Sequence, residues 1–184
     1  EENNISLLTS FRLRHKVLCA LQQFIDNIKL SGEIQSDEKY FSINLKGTKP
    51  SNMPRFSKKR TSTKSSCRGI SHHKVCVASS IDENDNLMLK IVGLGRCTTK
   101  MLENSLGQKI NKAKSVITDS ASAYQQFCKD NKLILHAIPS GFHSDGIYNI
   151  AEINGVHSQL ETWLTKFRGV STRHFQEYLN WFVY

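Results

Sequence analysis

Two aspartates carry the strongest chemical signal in the chain. Asp37 sits inside a run of β-forming residues, with Ile34 before it and Tyr40-Phe41 after it. Asp is disfavoured in such a setting and needs a reason to be there. Asp119 follows Val116-Ile117-Thr118, where an apolar run gives way to a helical pattern. Open α/β sheets gather ligands at the carboxyl ends of their strands. Each residue also has a plainer use: Asp119 as a helix N-cap, Asp37 as a solvent-facing residue of an edge strand. Carboxylates on neighbouring strands can converge. Completed by a third oxygen ligand, such a pair holds two magnesium or manganese ions ~4 Å apart for in-line displacement at phosphorus. The third ligand is sought on the helical segment from Ile153 to Phe167. At roughly 100° per residue, Glu161 falls within ~20° of Asn154, away from Val156, Leu160, Trp163 and Phe167. Asn154 and Glu161 are then ~10 Å apart along the axis, so they can flank one site without serving one ion equally.

The elements that must position these residues follow from periodicity. Val17, Leu21, Phe24 and Ile28 recur at helical spacing and predict a helix from Ser10, as N-cap, to Lys29, with Ser31-Gly32 as its stop. Strands are predicted over Glu33 to Ile43, Ser71 to Ile81 and Leu87 to Leu94, the last two joined by the turn Asp82-Glu-Asn-Asp-Asn86. These three form an antiparallel meander. A helix over Thr99 to Ile110, a short strand Ser115 to Thr118, a helix Ser120 to Asp130 and a strand Leu133 to Ile138 come next. Two helices end the chain: Ile153 to Phe167, stopped by Arg168-Gly169, and a second one capped by Ser171 or Thr172 with Phe175, Tyr178, Leu179 and Phe182 on its apolar face. The pattern predicts a mixed α/β sheet with helices packed on it.

Charge argues about partners. The 184 residues hold 25 Lys+Arg against 16 Asp+Glu, a net +9, and nucleic acid is the commonest polyanion for such a domain. From Lys39 to Ile81 no residue is acidic, while Lys39, Lys46, Lys49, Arg55, Lys58, Lys59, Arg60, Lys64, Arg68 and Lys74 are basic. The Ser-, Thr-, Pro- and Lys-rich middle, Gly47 to Cys67, reads as a long basic loop, either a solvated insertion or a phosphate-contacting arm. Charges of one sign this dense repel unless a polyanion lies nearby, which favours the arm. Lys166, Arg168 and Arg173 form a second basic group between the last two helices. The five cysteines are odd in number and never spaced Cys-x-x-Cys, which points to a reducing cytosol rather than a zinc ribbon or disulfide framework. No apolar run approaches the ~20 residues that span a bilayer, and a membrane partner is not expected. The first residue is Glu, as expected for a fragment of a longer chain. His143 and His157 take a structural or solvated reading. Cys76, Cys128, Trp163 and Trp181 are read as packing residues.

Several stretches, in this order, resemble one family: Phe11-Arg-Leu-Arg-His-Lys16, Asp37-Glu-Lys-Tyr40, Leu45-Lys-Gly-Thr48, Met53-Pro-Arg55, Arg68-Gly-Ile-Ser71, Ile117-Thr-Asp119 with Tyr124, Asn154-Gly-Val-His-Ser158 and Phe167-Arg-Gly-Val-Ser-Thr172. The chain is similar, over nearly its whole length, to DDE-type insertion-sequence transposases with a ribonuclease-H-like catalytic domain, in the branch whose third catalytic residue is Asn or Glu. The resemblance implies a catalytic set of Asp37, Asp119 and Asn154, with magnesium or manganese on all three. Members of this branch often carry Lys seven residues after the third position; this chain has Glu161 there, which is expected as a fourth catalytic residue and either loses a phosphate contact or supplies the charge that Asn154 lacks.

The resemblance divides the chain into an N-terminal helical lead-in, residues 1–32, and a catalytic domain, residues 33–184, with a basic loop at 46–68. Lys46, Lys49, Arg55, Lys58, Lys59, Arg60, Lys64, Arg68, Lys166, Arg168 and Arg173 are the expected DNA contacts. It implies cleavage at element ends followed by attack of the freed 3′-hydroxyl on target DNA, by a homo-oligomer assembled on DNA in the cytoplasm at the nucleoid. A nuclease of the same fold without strand transfer, and an inactive DNA-binding remnant, are the competing readings.

Overall fold

The computed structural model describes residues 5–47, 70–119, 122–139, 141–142 and 144–184. Its centre is a five-stranded mixed sheet in the order β3-β2-β1-β4-β5. Strand β1 (Leu30–Ser42) is the middle strand. It pairs antiparallel with β2 (Lys74–Asp82), which pairs antiparallel with β3 (Leu87–Leu94). On its other edge β1 runs parallel to β4 (Ile110–Asp119), which runs parallel to β5 (Ile134–Ile138). The meander followed by parallel strands is therefore the one expected for a ribonuclease-H-like sheet. A two-stranded hairpin, β6 (Ser144–Asp145) with β7 (Tyr148–Asn149), leads into the last helices.

Both faces of the sheet are covered, which is why β2 is buried at almost every position rather than at alternate ones. On one face Ile34, Cys76, Ala78 and Val116 pack against Leu102, Tyr124 and Phe127. These last come from α3 (Thr99–Leu102) and α4 (Ser122–Asp130). On the other face Val75, Val77 and Leu89 meet Leu160, Phe175 and Leu179 from α5 (Ala151–Thr165) and α6 (Phe175–Val183). Side chains alternate along a strand. Ile34 and Tyr40 of β1 therefore join the α3–α4 face, and Phe41 joins the α5–α6 face.

Several expected boundaries move, each for a local reason. The N-terminal helix is α1 (Leu7–Ala20), capped by Ser6 Oγ on the Thr9 N–H rather than by Ser10, and it breaks before a short α2 (Gln22–Asp26). Ser31-Gly32 is not a helix stop but part of β1. Gly32 holds φ +66 where the β1–β4 register shifts, and a Cβ there would lie 2.0 Å from the Glu83 carboxylate. Thr99 to Ile110 is not one helix: α3 widens into a π-helical turn at Glu103–Gly107, and Ile110 already opens β4. The polar run Asn111-Lys-Ala-Lys114 hid the first half of that strand. Of the expected helix start at Ser120, residues 120–121 lie outside the described residues. Thr172 does not cap α6. Its hydroxyl accepts the Asn44 N–H at 2.8 Å, while its own N–H donates to the Asn44 carbonyl at 2.9 Å, tying the α5–α6 junction to the end of β1.

The β2–β3 turn hangs on one buried carboxylate. Asp82 accepts the backbone N–H groups of Ser31, Asn84 and Asn86 and the Asn86 amide, all at 2.9–3.2 Å. Burial pushes its acidity the other way, but the donors prevail and hold the carboxyl below its usual range. Asp82→Ala leaves these donors unpaired and is expected to lower stability by about 2–3 kcal/mol in urea unfolding at neutral pH. Since the folded pKa is depressed, the difference from wild type should shrink as pH falls through it.

Candidate active site

Asp37 lies on the α5 face of β1. The parallel register matches Gln35 with Ile117, so Asp37 and Asp119 stand level at the ends of their shared ladder, two residues farther along each strand. Ile117 packs on the α5 side of the sheet, and alternation puts Asp119 on that side too. The carboxylates of Asp37, Asp119 and Glu38 come together, with one oxygen of each within 4.8 Å of the others. Glu38 points to the opposite face of β1 from Asp37, yet it reaches the group. β4 stops at Asp119 while β1 runs on to Ser42, so this edge of β1 has no β4 ladder partner beside Glu38.

Such a group is electrostatically expensive without a cation. Burial pushes Asp37 up to about 6, and repulsion from Asp119 adds to it, while the Glu38 N–H at 2.8 Å and Lys39 pull it back. Burial, then the charges of Asp37 and Asp119, push Glu38 up to about 7. Beneath Glu38 lie Tyr40, whose hydroxyl accepts the Cys97 N–H at 3.2 Å, and the fully buried Tyr124. Burial holds both phenols well above their usual range, so both stay protonated.

Helix α5 closes the other side. Its N-terminus has no cap from Ile150. Asn149 accepts the Ala151 N–H at 3.0 Å, and Gln35 of β1 accepts the Ile153 N–H at 3.3 Å. The cap thus comes from the same strand as Asp37, two residues earlier, and fixes the helix against the site. His157 is buried. Its Nε2 hydrogen-bonds Ser79 Oγ at 2.9 Å, and its Nδ1 lies 3.6 Å from Asp37 Oδ2. Burial, and then Lys39, push this imidazole down to about 4, so at neutral pH it is an uncharged neighbour of Asp37 and not an ion-pair partner.

Asn154 sits one turn before His157 on α5, half-buried. Glu161 lies one turn beyond it, and its carboxylate meets Lys39 at 3.0 Å rather than joining the acidic group. Among the basic residues, Lys46, Lys166 and Arg173 line one hollow of about 920 Å3 with Arg14, floored by Phe11, Phe167, Tyr178 and Trp181. Arg168 is exposed nearby on the chain. Lys49, Arg55, Lys58, Lys59, Arg60, Lys64 and Arg68 lie outside the described residues, as does His143.

Sequence reasoning did not single out Glu38. Strict alternation sets it opposite Asp37, and only the end of β4 lets the two meet. It gave His157 a structural or solvated reading in preference to an approach to the site; the Ser79 hydrogen bond fits a structural role, and the ring also lies beside Asp37.

The family profile described as an ISXO2-like transposase domain matches residues 29–184. No curated protein matches the chain. One solved structure similar to it is a simian T-cell lymphotropic virus intasome in complex with the PP2A regulatory subunit B56 gamma, at 14% identity and a TM-score of 0.44, covering 84% of this chain. The similar region spans 49% of that structure's chain.

The raised carboxyls give a pH signature. In metal-free protein the folded state keeps a proton on Glu38 up to about 7, whereas the unfolded chain releases it near 4.5. The carboxylate's cost therefore grows as pH rises through that window. Glu38→Gln should gain stability relative to wild type between pH 4.5 and pH 7 and level off above it, measured as urea midpoints in chelator. A difference that is constant across the window contradicts the clustered geometry.

Proposed function

The chain belongs to the ISXO2-like transposase domain family, and from that premise we propose that it is a DNA transposase that cleaves phosphodiester bonds at insertion-element ends and joins them to target DNA. The observation that carries this reading is the convergence of Asp37, Glu38 and Asp119. The donors are all hard oxygens, crowded enough to raise the pKa values of Asp37 and Glu38, and they suit magnesium or manganese. When bound, divalent ions would supply Lewis acidity at the scissile phosphate.

The rest is the work of the chain's own residues. Asp37 within β1 and Asp119 at the end of β4 would hold the ions, and Asn154 would offer a neutral carbonyl oxygen from α5. Glu38 supplies the third negative charge that Asn154 lacks. His157 stays neutral and holds Asp37 in place without discharging it. Glu161 engages Lys39, so we assign it a positioning role: it draws the ammonium towards α5.

Lys46, Lys166, Arg168 and Arg173, with the basic stretch 46–68, take the DNA backbone. Assembly as a homo-oligomer on element ends, within the cytoplasm, and a division into a lead-in (1–32) and a catalytic domain (33–184) complete the proposal. Among the described residues no helix is long and apolar enough to cross a membrane.

Magnesium- or manganese-dependent cleavage of duplex DNA bearing the element's ends should fall by about 10³-fold in Asp119→Ala with DNA binding intact. Cleavage without joining would favour a nuclease, and DNA binding without cleavage by wild type would favour an inactive binding module. Glu38→Gln should weaken the apparent magnesium affinity about 10- to 100-fold, read from the metal dependence of the rate. Lys166→Ala should weaken binding to all DNA sequences and reduce the slope of log K against log salt by about 1.

A further inference from the structure

Helix α1 is thinly held. Leu18 is its only buried residue, while Leu7, Leu8, Leu13 and Val17 are exposed. His15 gives it a polar link to α6. The His15 Nδ1 meets Glu177 Oε2, on the first turn of α6, and His174 Nδ1 meets Glu177 Oε1 at 3.0 Å. The two imidazoles lie with centroids 4.0 Å apart, tilted 38° to one another. One donor atom from each of the three side chains lies within 4.8 Å of the others, and all three are mostly shielded from solvent.

We propose that His15, His174 and Glu177 form a zinc-type metal site that fastens α1 to α6. Two imidazole nitrogens and a carboxylate oxygen are a donor set for zinc or cobalt, not for magnesium, and they leave a fourth position open. Arg173 Nε donates to His174 Nε2 at 3.2 Å. Ligation through Nδ1 moves each ring proton to Nε2, so Arg173 must turn away; its side chain is exposed and free to do so. His15 and His174 line the hollow of about 920 Å3, which provides an access path. A bridge between positions 162 residues apart restricts the unfolded chain strongly, so a single ion there has a large effect on folding.

The test uses cobalt and zinc with the full chain in excess magnesium, which occupies the oxygen cluster. Wild type and Asp119→Asn should both bind one equivalent of cobalt or zinc and melt at a higher temperature with it. His15→Ala and Glu177→Gln should lose both the bound equivalent and the zinc-dependent rise. Because His15→Ala removes a structural contact as well, X-ray absorption of the wild-type zinc complex supplies a second reading, expected to show two imidazoles and an oxygen ligand. An equivalent that survives in Glu177→Gln, a zinc shell without imidazole, or no zinc uptake by wild type overturns the proposal.

Discussion

The mutual repulsion of three carboxylates at the end of the β1–β4 ladder is the constraint on which the rest of the structure turns. Parallel pairing places Asp119 level with Asp37, and burial makes the charges of Asp37 and Glu38 expensive. The neighbours do little to neutralise them. His157 is held neutral, Lys39 is shared with Glu161, and the phenols of Tyr40 and Tyr124 stay protonated. A fold optimised for stability alone would replace one of these acids. Keeping all three beside a surface with a large positive excess makes sense if cations and a polyanion meet there.

The surrounding elements serve that arrangement. Gln35 caps α5 from the strand that carries Asp37, so the helix bearing Asn154 and His157 cannot shift without disturbing β1. The buried Ser79 on β2 fixes the far side of the His157 ring. Thr172 and Asn44 tie the α5–α6 junction to the end of β1, close to where the basic stretch begins. The basic hollow is lined by α1, by Lys46 and Gly47 beyond the end of β1, and by the α5–α6 junction and α6.

Much of this was legible in the residues. Asp37 and Asp119 stood out because a carboxylate in a strand and one at a strand's end need reasons, and the meander followed from β-formers split by the Asp82–Asn86 turn. What stayed hidden depended on tertiary contacts. Gly32 reads as a helix stop until Glu83 packs against its bare backbone. Lys112 and Lys114 disguise half of β4, because the early part of that strand is polar. Alternation rightly sets Glu38 on the face opposite Asp37, but it says nothing about where the neighbouring strand ends, and so it hides their meeting. Glu161 looked like a further residue of the site on the helical wheel, and only the packed structure shows Lys39 engaging it. His15 and Glu177, far apart in sequence, carry no local sign of their meeting.

The most direct test of the central claim is a manganese anomalous difference map of the chain with element-end DNA. The three-carboxylate site predicts manganese peaks bounded by the oxygens of Asp37 and Asp119, with Glu38 and Asn154 at the rim and the scissile phosphate adjoining. Manganese bound elsewhere, or DNA bound with no metal between Asp37 and Asp119, would contradict it.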